Sequence, residues 1–171
     1  MDDNLLGSIA SRLLAPPKGL LAADESTGTI SKRFAAEGLT SPPELNRKYR
    51  QMLVSTPGIE EFLSGVIMFD ETVRQNSDEG TPFPQYLAKR GIIPGIKVDE
   101  GREPFGEKEE VAKGVEGLPT RLPEYKRMGL SFTKWRAPIA IKEAYPSAEM
   151  ISENAKRMAE FASISQKEGF G

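Results

Sequence analysis

Charged side chains that could bind or transform a substrate lie within or at the ends of four predicted strands in this sequence. They are Asp24, Asp70, Lys97, Asp99, Lys134 and Arg136. Lys97 lies between Ile96 and Val98, and a lysine inside a buried strand is costly unless an acid pairs with it. Lys134 and Arg136 occupy alternate positions and therefore share one face of a strand. Cations beside carboxylates in a concave site suit a phosphorylated, polyhydroxylated substrate, while ion pairs that fill a barrel interior are the purely structural alternative.

Hydroxyl groups and a cation follow the first apolar run, residues 20–23, which is predicted to form a buried parallel strand. Ser26 and Thr29 supply the hydroxyls and Arg33 the cation, next to a helix predicted over residues 31–37. Backbone N–H groups at a helix N-terminus have no partner within the helix and can bind a phosphate. We therefore expect an anion site after the first strand, with an ordinary capped helix as the alternative.

The composition limits the chemistry that the chain can perform. The 171 residues include neither His nor Cys. A Ser-His-Asp triad, a thiol nucleophile, a disulfide and a His-ligated zinc site are therefore excluded. Proton transfer near neutral pH must therefore use carboxylates, Lys, Tyr or a substrate group.

Charge and hydropathy indicate which partners and which compartment to expect. The formal net charge of −2 favours neither nucleic acid nor a membrane surface as a partner. The sequence contains no run of 18 apolar residues, so no transmembrane helix is predicted. The acidic residues 1–4 lack the basic and apolar regions of a signal peptide, so a cytoplasmic location is expected.

Apolar runs alternate with helical patterns along the chain. An amphipathic helix is predicted over residues 4–14, and residues 100–117, rich in glycine and charge, are predicted to form an exposed connection. Strand-then-helix units begin near residues 19, 65, 92 and 131. This alternation predicts a parallel sheet, in either a doubly wound fold or a (β/α)8 barrel. No Gly-x-Gly-x-x-Gly motif follows a strand, and a full barrel needs about 250 residues, so the chain could form about half of one.

Two predicted helices carry apolar stripes that we expect to face the core. On residues 43–55 the stripe consists of Leu45, Tyr49, Met52 and Leu53. On residues 147–167 it consists of Ile151, Ala155, Met158, Ala159 and Ala162. Residues spaced by three and four positions lie on one helix face, so each stripe is predicted to be buried.

Four motifs, in order along the chain, resemble those of one enzyme family. They are Leu-Ala-Ala-Asp-Glu-Ser-Thr-Gly at residues 21–28, Gly-Val-Ile-Met-Phe-Asp-Glu-Thr at 65–72, Gly-Ile-Lys-Val-Asp at 95–99 and Lys-Trp-Arg at 134–136. From about residue 5 to residue 169 the chain resembles class I fructose-bisphosphate aldolase. The resemblance implies an α/β TIM barrel, of which residues 1–171 would form a single domain with about the first four βα units.

The resemblance also implies a reaction and the residues that serve it. The family cleaves fructose 1,6-bisphosphate into glycerone phosphate and glyceraldehyde 3-phosphate, a glycolytic step, through a lysine Schiff base and without metal. The resemblance therefore implies neither a metal nor a cofactor. Asp24 would assist carbon–carbon bond cleavage, and Lys134 would stabilise charge during Schiff-base formation and proton transfer. The substrate-binding residues would be Ser26, Thr29, Arg33, Lys97 and Arg136. Thr29 stands where many members have Ser, and Arg47 receives no role because the nearby Asn-Arg pair is displaced by one residue.

The family places its acid–base glutamate and its Schiff-base lysine on later strands than the four predicted here. No lysine of this chain lies in the Schiff-base context, so we expect the 171-residue polypeptide to be inactive alone. A half-barrel leaves strand edges open, so we also expect it to pair with a missing half or to form a homo-oligomer. A non-catalytic sugar-phosphate-binding half-barrel and a nonfunctional remnant are the alternatives.

Overall fold

The computed structural model describes the backbone of residues 3–171 and the side chains from residue 6 onward. The expectation that no signal peptide is present rests on residues 1–4, of which residues 1 and 2 lie outside the described part. The helices are α1 (Asp3–Leu13), α2 (Thr27–Ala36), α3 (Pro43–Val54), α4 (Asp70–Val73), α5 (Phe83–Lys89), α6 (Leu118–Arg127) and α7 (Ala148–Lys167), with a 3-10 turn at Ile59–Glu61. The strands are β1 (Gly19–Ala23), β2 (Leu63–Met68), β3 (Ile93–Lys97), β4 (Arg102–Phe105), β5 (Glu109–Ala112) and β6 (Phe132–Lys134). No helix within residues 3–171 is long and apolar enough to cross a membrane.

Four parallel strands form the central sheet in the order β1-β2-β3-β6. The predicted parallel sheet is thus confirmed, with its strands in chain order. Gly171 lies along the edge of β6 that faces away from β3. There its N–H donates to the carbonyl of Ser131, and its carbonyl accepts from the Thr133 N–H. Among the described strands, β1 pairs only with β2, so its other edge is open.

The predicted burial of the first strand is wrong. Within β1 only Ala23 is buried, and Leu20 is 43% exposed. An edge strand has one neighbour instead of two, so its side chains have fewer packing partners than those of a central strand. By contrast, β2 and β3 lie inside the sheet and are mostly buried.

The two faces of the sheet carry different side chains, because successive residues of a strand point to opposite sides. Ile9 and Leu13 of α1 cluster with Ile93 and Phe132 and pack against Ile67 on what we call the inner face. The outer face packs against the helices through a larger cluster that includes Val66, Met68, Ile96, Leu87, Leu118, Leu122 and Leu130. The inner face is therefore closed by α1 at the amino ends of the strands.

Residues 100–117 do not form the exposed connection that was predicted. They contain the antiparallel hairpin β4–β5, in which Val111 and Ala112 are almost fully buried. Arg157 of α7 donates to the carbonyl of Ala112 at 2.6 Å and to Glu103 of β4 at 2.7 Å. One of the charged residues that suggested an exposed loop, Glu103, is thus a partner of α7, which a local pattern does not reveal.

The apolar stripe predicted for α3 is wrong as the buried face, although Leu53 packs partly buried against the core. The buried residues of this helix are Asn46, Arg50 and Val54, whereas Met52 is 59% exposed. Asn46 donates to Glu71 at 3.2 Å, so the polar face of the helix has partners inside the protein. A hydrophobic pattern cannot identify a buried face whose polar groups are hydrogen-bonded.

The same error occurs in α7, where the buried positions include Met150 and Asn154. Ile151 and Met158, assigned to the core from their spacing, are each about half exposed. Asn154 donates to the carbonyl of Pro138 at 2.9 Å, which satisfies a buried amide. The helix is therefore rotated toward its polar residues relative to the sequence-based expectation.

Gly95 has no side chain, which leaves space on the inner face for the ring of Phe132. A Cβ atom added at Gly95 would lie 2.2 Å from Cζ of the Phe132 ring, far inside van der Waals contact. Gly19 offers a matched control, because an added Cβ there meets nothing within 4 Å.

We expect Gly95→Ala to lower the free energy of unfolding by about 1–3 kcal/mol or more, since overpacking forces side chains and backbone to shift. Gly19→Ala should change it by less than about 0.5 kcal/mol. Urea unfolding of both variants beside the unmodified chain measures the difference. Equal effects of the two substitutions would contradict this account of the inner face.

Candidate functional site

A cavity of about 590 Å³ opens at the carboxyl ends of the four parallel strands. Six of the seven site residues predicted from the sequence line it: Asp24, Ser26, Thr29, Lys97, Lys134 and Arg136. Arg33, the seventh, lies outside this lining. The lining also includes Asp70 and Asp99, which the sequence indicated as charged residues at strand ends, and six residues that were not assigned to a site: Glu25, Phe69, Glu100, Gly101, Arg121 and Tyr125.

Strand geometry explains why the charged residues converge. Lys97 and Lys134 are register partners in β3 and β6, so both point to the same face. Asp99 and Arg136 follow them at an interval of two residues and keep to that side as the chain leaves each strand. The inner face is therefore apolar at the end covered by α1 and charged at the opposite end.

Asp24 and Lys134 form an ion pair across the cavity. Nζ of Lys134 lies 2.6 Å from Oδ2 of Asp24, and the two side chains are 33% and 13% exposed. Asp24 directly follows β1, the first strand of the sheet, and Lys134 is the final residue of β6, the last strand. The pair therefore couples a candidate base to a cation in a partly desolvated position, where electrostatic interactions are stronger than in water.

Asp99 holds two cations at once. Its Oδ1 lies 2.9 Å from Nζ of Lys97 and 3.0 Å from Nη2 of Arg136, and its own side chain is fully buried. Lys97 also donates to the carbonyl of Asp99 at 2.7 Å. Two cations share one carboxylate, so the Lys97–Asp99–Arg136 cluster by itself carries one surplus positive charge, which favours an anion beside it.

Asp70 is an acid at a strand end that could have paired with a cavity lysine, but it binds other residues. Instead of pairing with Lys97 or Lys134, it accepts hydrogen bonds from Arg74 and from the Tyr125 hydroxyl, both at 2.9 Å. Burial raises the pKa of Asp70, but the hydrogen bonds from Arg74 and Tyr125, together with the charges of Arg74 and Arg121, hold the pKa below its ordinary value. Burial and the Asp70 carboxylate raise the pKa of Tyr125.

The first turn of α2 brings two hydroxyl groups to the cavity. The helix begins at Thr27, four residues before the predicted start, and Ser26 caps it by accepting from the Thr29 N–H at 3.3 Å. The hydroxyls of Ser26 and Thr29 are 3.1 Å apart. The methyl group of Thr29 is thus accommodated while its hydroxyl remains beside Ser26.

Arg33 and the cavity are linked through Glu25. The guanidinium of Arg33 is 56% exposed and donates to Oε1 of Glu25 at 2.5 Å. Arg50, a buried residue of α3, binds the other oxygen of Glu25. Burial raises the pKa of Glu25, but the hydrogen bonds from Arg50 and Arg33 and the charge of Arg50 contribute to a net pKa below the ordinary value.

Sequence reasoning missed Arg50, as well as Arg121 and Tyr125 of α6. Arg50 lies four positions after Asn46 and four before Val54, so these three residues share one face of α3. Arg121 and Tyr125 are also four positions apart, and both reach the cavity. Polar residues at helical spacing were the available signal, although the same spacing occurs on solvated helix faces. Within residues 3–171, no group of three or more acidic side chains is arranged to hold a metal ion.

Comparison with known proteins adds an independent observation. A family model described as fructose-bisphosphate aldolase class-I matches residues 5–170. The chain belongs to this family. The resemblance drawn from the four sequence motifs is therefore confirmed.

Relatives of this aldolase family show both the similarity and its extent. A probable fructose-bisphosphate aldolase class 1 from Xanthomonas campestris pv. campestris is 46% identical over 166 residues, covering 96% of this chain and 50% of the relative. A fructose-bisphosphate aldolase from Drosophila melanogaster is 46% identical over 166 residues, covering 95% of this chain and 46% of the relative. The chain thus spans about half the length of the curated aldolases it matches.

The fold agrees with a solved aldolase structure. Fructose-bisphosphate aldolase from Plasmodium falciparum, crystallised in a ternary complex with TRAP and a small-molecule inhibitor, superposes with a TM-score of 0.93 at 39% identity. The match covers 98% of this chain and 49% of that one. The predicted α/β class is confirmed, and the half-length coverage agrees with part of an aldolase TIM barrel.

The lowered pKa of Asp70 predicts how the stability of this aldolase chain depends on pH. Because the pKa is lower in the folded state than in the unfolded chain, ionised Asp70 stabilises the fold above the unfolded value, near pH 4. That stabilisation is lost as the pH falls through the folded-state pKa. The difference in unfolding free energy between the unmodified chain and Asp70→Asn should therefore be largest above about pH 5 and shrink toward about pH 3.

Urea unfolding across this pH range measures the difference. Asp78→Asn is the control, because the Asp78 side chain is 62% exposed and lies outside the cavity lining. A difference for Asp70→Asn that does not vary with pH would contradict the proposed role of the Arg74 and Tyr125 hydrogen bonds.

Proposed function

We propose that this chain supplies the charge-stabilising half of a class I fructose-bisphosphate aldolase site. The reaction is the glycolytic, cytoplasmic cleavage of fructose 1,6-bisphosphate into glycerone phosphate and glyceraldehyde 3-phosphate through a lysine Schiff base. The observation that supports this most directly is the convergence of the Asp24–Lys134 and Lys97–Asp99–Arg136 clusters in one cavity. The family membership of the chain supports the same reaction class.

Asp24 and Lys134 are the proposed catalytic residues. Cleavage of the carbon–carbon bond requires a base for the hydroxyl on the carbon that becomes the aldehyde, and the Asp24 carboxylate can accept that proton. Lys134, 2.6 Å from Asp24, places a positive charge beside the oxygen on which negative charge develops. Since the pair is preformed, little reorganisation is needed when the substrate binds.

The proposed substrate-binding residues lie on two sides of the cavity. Lys97 and Arg136 carry the surplus positive charge left by Asp99 and suit a phosphate or a hydroxyl-bearing carbon chain. Ser26 and Thr29 present hydroxyls at the start of α2, where backbone N–H groups also favour an anion. The proposed position for Arg33 is at the edge of the site, where its exposed guanidinium can reach a phosphate from outside.

The Schiff-base nucleophile is proposed to lie outside these 171 residues. A nucleophilic lysine must present a neutral amine. Both lysines that line the cavity, Lys97 and Lys134, are instead paired with carboxylates. The 171-residue polypeptide alone is therefore expected to bind sugar phosphate without cleaving it.

A fusion protein tests this division of roles. Residues 1–171 are joined to the half of the Xanthomonas campestris aldolase that this chain does not match, and triose phosphate release from fructose 1,6-bisphosphate is measured. We expect the fusion to be active and the 171-residue polypeptide to show no turnover. In the fusion, Asp24→Asn and Lys134→Met should each lower kcat on the order of 10² to 10⁴-fold, because each removes a group that acts in the transition state.

Lys142→Met is the matched control, since Lys142 is exposed and lies outside the cavity lining. A folded fusion that does not cleave the substrate, or one that keeps full activity after Lys134→Met, would contradict the proposal. Lysine-dependent cleavage by the 171-residue polypeptide itself would contradict the placement of the nucleophile.

A non-catalytic sugar-phosphate-binding protein is the second candidate, and the paired state of Lys97 and Lys134 favours it for the polypeptide alone. Binding of fructose 1,6-bisphosphate without turnover in both the polypeptide and the fusion would support this candidate. Absence of binding in both would instead indicate a nonfunctional remnant.

The open edge of β1 leads to a proposal about assembly. An unpaired strand edge with the half-exposed Leu20 is a site for pairing with another segment or with a second copy. We expect the 171-residue polypeptide to self-associate, or to unfold at low denaturant concentration when diluted. Sedimentation and urea unfolding at several protein concentrations test this, and a sharp, concentration-independent transition of a monomer would contradict it.

A further inference from the structure

Arg50 is a charged residue in the interior that no catalytic or binding role has yet explained. Its side chain is 2% exposed, less than that of any other arginine in an ion pair of the described structure. A buried guanidinium is costly to desolvate unless its donors are well paired. Arg50 lies in α3, away from the strands that carry the proposed catalytic residues. Its role must therefore be inferred from the residues to which its guanidinium is hydrogen-bonded.

The guanidinium of Arg50 binds both the side chain and the main chain of Glu25. Nη1 donates to Oε2 of Glu25, and Nη2 donates to the Glu25 carbonyl at 2.6 Å. Glu25 immediately follows Asp24 and precedes Ser26, the N-cap of α2. Arg50 therefore fixes the peptide unit between Glu25 and Ser26, which begins one residue after the proposed base and leads into the helix.

Arg50 also connects this segment to the next strand-to-helix loop. Its Nε donates to the buried hydroxyl of Thr72 at 3.2 Å. Thr72 lies in α4, which follows β2 and also carries Asp70 of the cavity lining. A single guanidinium thus sets the spacing between the two loops that form one side of the cavity.

Glu25 transmits the effect of Arg50 to Arg33. One carboxylate oxygen of Glu25 binds Arg50, while the other accepts from Arg33 at 2.5 Å. The exposed Arg33 has few other constraints; Tyr49 accepts from it at 3.4 Å. Without Arg50, the carboxylate would lose the partner that fixes its orientation, and Arg33 would lose its anchor.

We propose that Arg50 is a positioning residue that, through the carboxylate and carbonyl of Glu25, orients Asp24 and Arg33 toward the substrate. The roles of Asp24 and Arg33 in this statement rest on the proposed function. The guanidinium links the main chain that follows Asp24 to Thr72 of the neighbouring loop, while the Glu25 carboxylate links it to Arg33. These simultaneous connections to two segments of the cavity wall point to positioning.

The first test requires no ligand. Carboxyl NMR titration of Glu25 and amide hydrogen exchange at residues 24–27 are measured in the 171-residue protein and in Arg50→Lys. Lysine keeps the charge but cannot bind the carboxylate, the carbonyl and Thr72 together. We expect the pKa of Glu25 to rise toward its ordinary value and exchange at residues 24–27 to become on the order of tenfold faster.

Arg157→Lys is the matched control, because Arg157 also binds carboxylates and one backbone carbonyl, but outside the cavity. It should leave Glu25 and residues 24–27 unchanged. If Arg50→Lys does not fold, Thr72→Val, which removes only the bond to Nε, should produce a smaller change in the same direction. An unchanged Glu25 titration and unchanged exchange in the folded variant would overturn the proposal.

The second test separates positioning from general stability. The affinity for fructose 1,6-bisphosphate is measured by calorimetry for Arg50→Lys, Arg33→Ala and the double variant. Arg50→Lys should weaken binding about three- to tenfold in the unmodified background but have little further effect when Arg33 is absent, since coupled residues are not additive. Fully additive losses would overturn the link to Arg33. If the unmodified protein does not bind the sugar bisphosphate, the proposed function fails, while the NMR test still decides the role of Arg50.

Discussion

Pairing of charge on the inner face of the sheet is the constraint on which the rest of the structure depends. Lys97 and Lys134 are register partners on adjacent strands, so without acids they would repel each other at the sheet edge. Asp99 binds Lys97 and Arg136, and Asp24 binds Lys134, so all three cations have partners. A buried charge that loses its partner is strongly destabilising, and these pairs therefore hold the strand ends at the spacing that forms the cavity.

At the amino ends of the strands, apolar side chains of the inner face pack closely and hold the strands that carry the charged site. Ile9 and Leu13 of α1 cover Ile93 and Phe132, and Gly95 leaves room for the Phe132 ring. Strands fixed at one end by close packing position side chains at the other end more accurately than loops do. The division between an apolar end and a charged end follows from one structural rule, since alternate residues of each strand continue along the same face.

Buried polar groups outside the sheet complete the arrangement. Arg50 and Asn46 of α3 bind Glu25 and Glu71, and Asn154 of α7 binds a backbone carbonyl. Each of these side chains occupies a position that an apolar pattern assigns to solvent. Hydrogen bonds to partners distant in the sequence satisfy the polar atoms and so permit their burial.

Local periodicity and short motifs are enough to predict the alternation of strands and helices, the parallel sheet, the family and the set of charged residues at the strand ends. The pairing of acids with cations depends on the folded chain: Asp24 binds Lys134 across 110 positions, whereas Asp70, equally eligible in the sequence, binds Arg74. The fold likewise selects which helix faces are buried and places Arg50 behind Glu25. Such choices depend on distances between residues far apart in the chain, and these distances exist only once the sheet has brought the strand ends together.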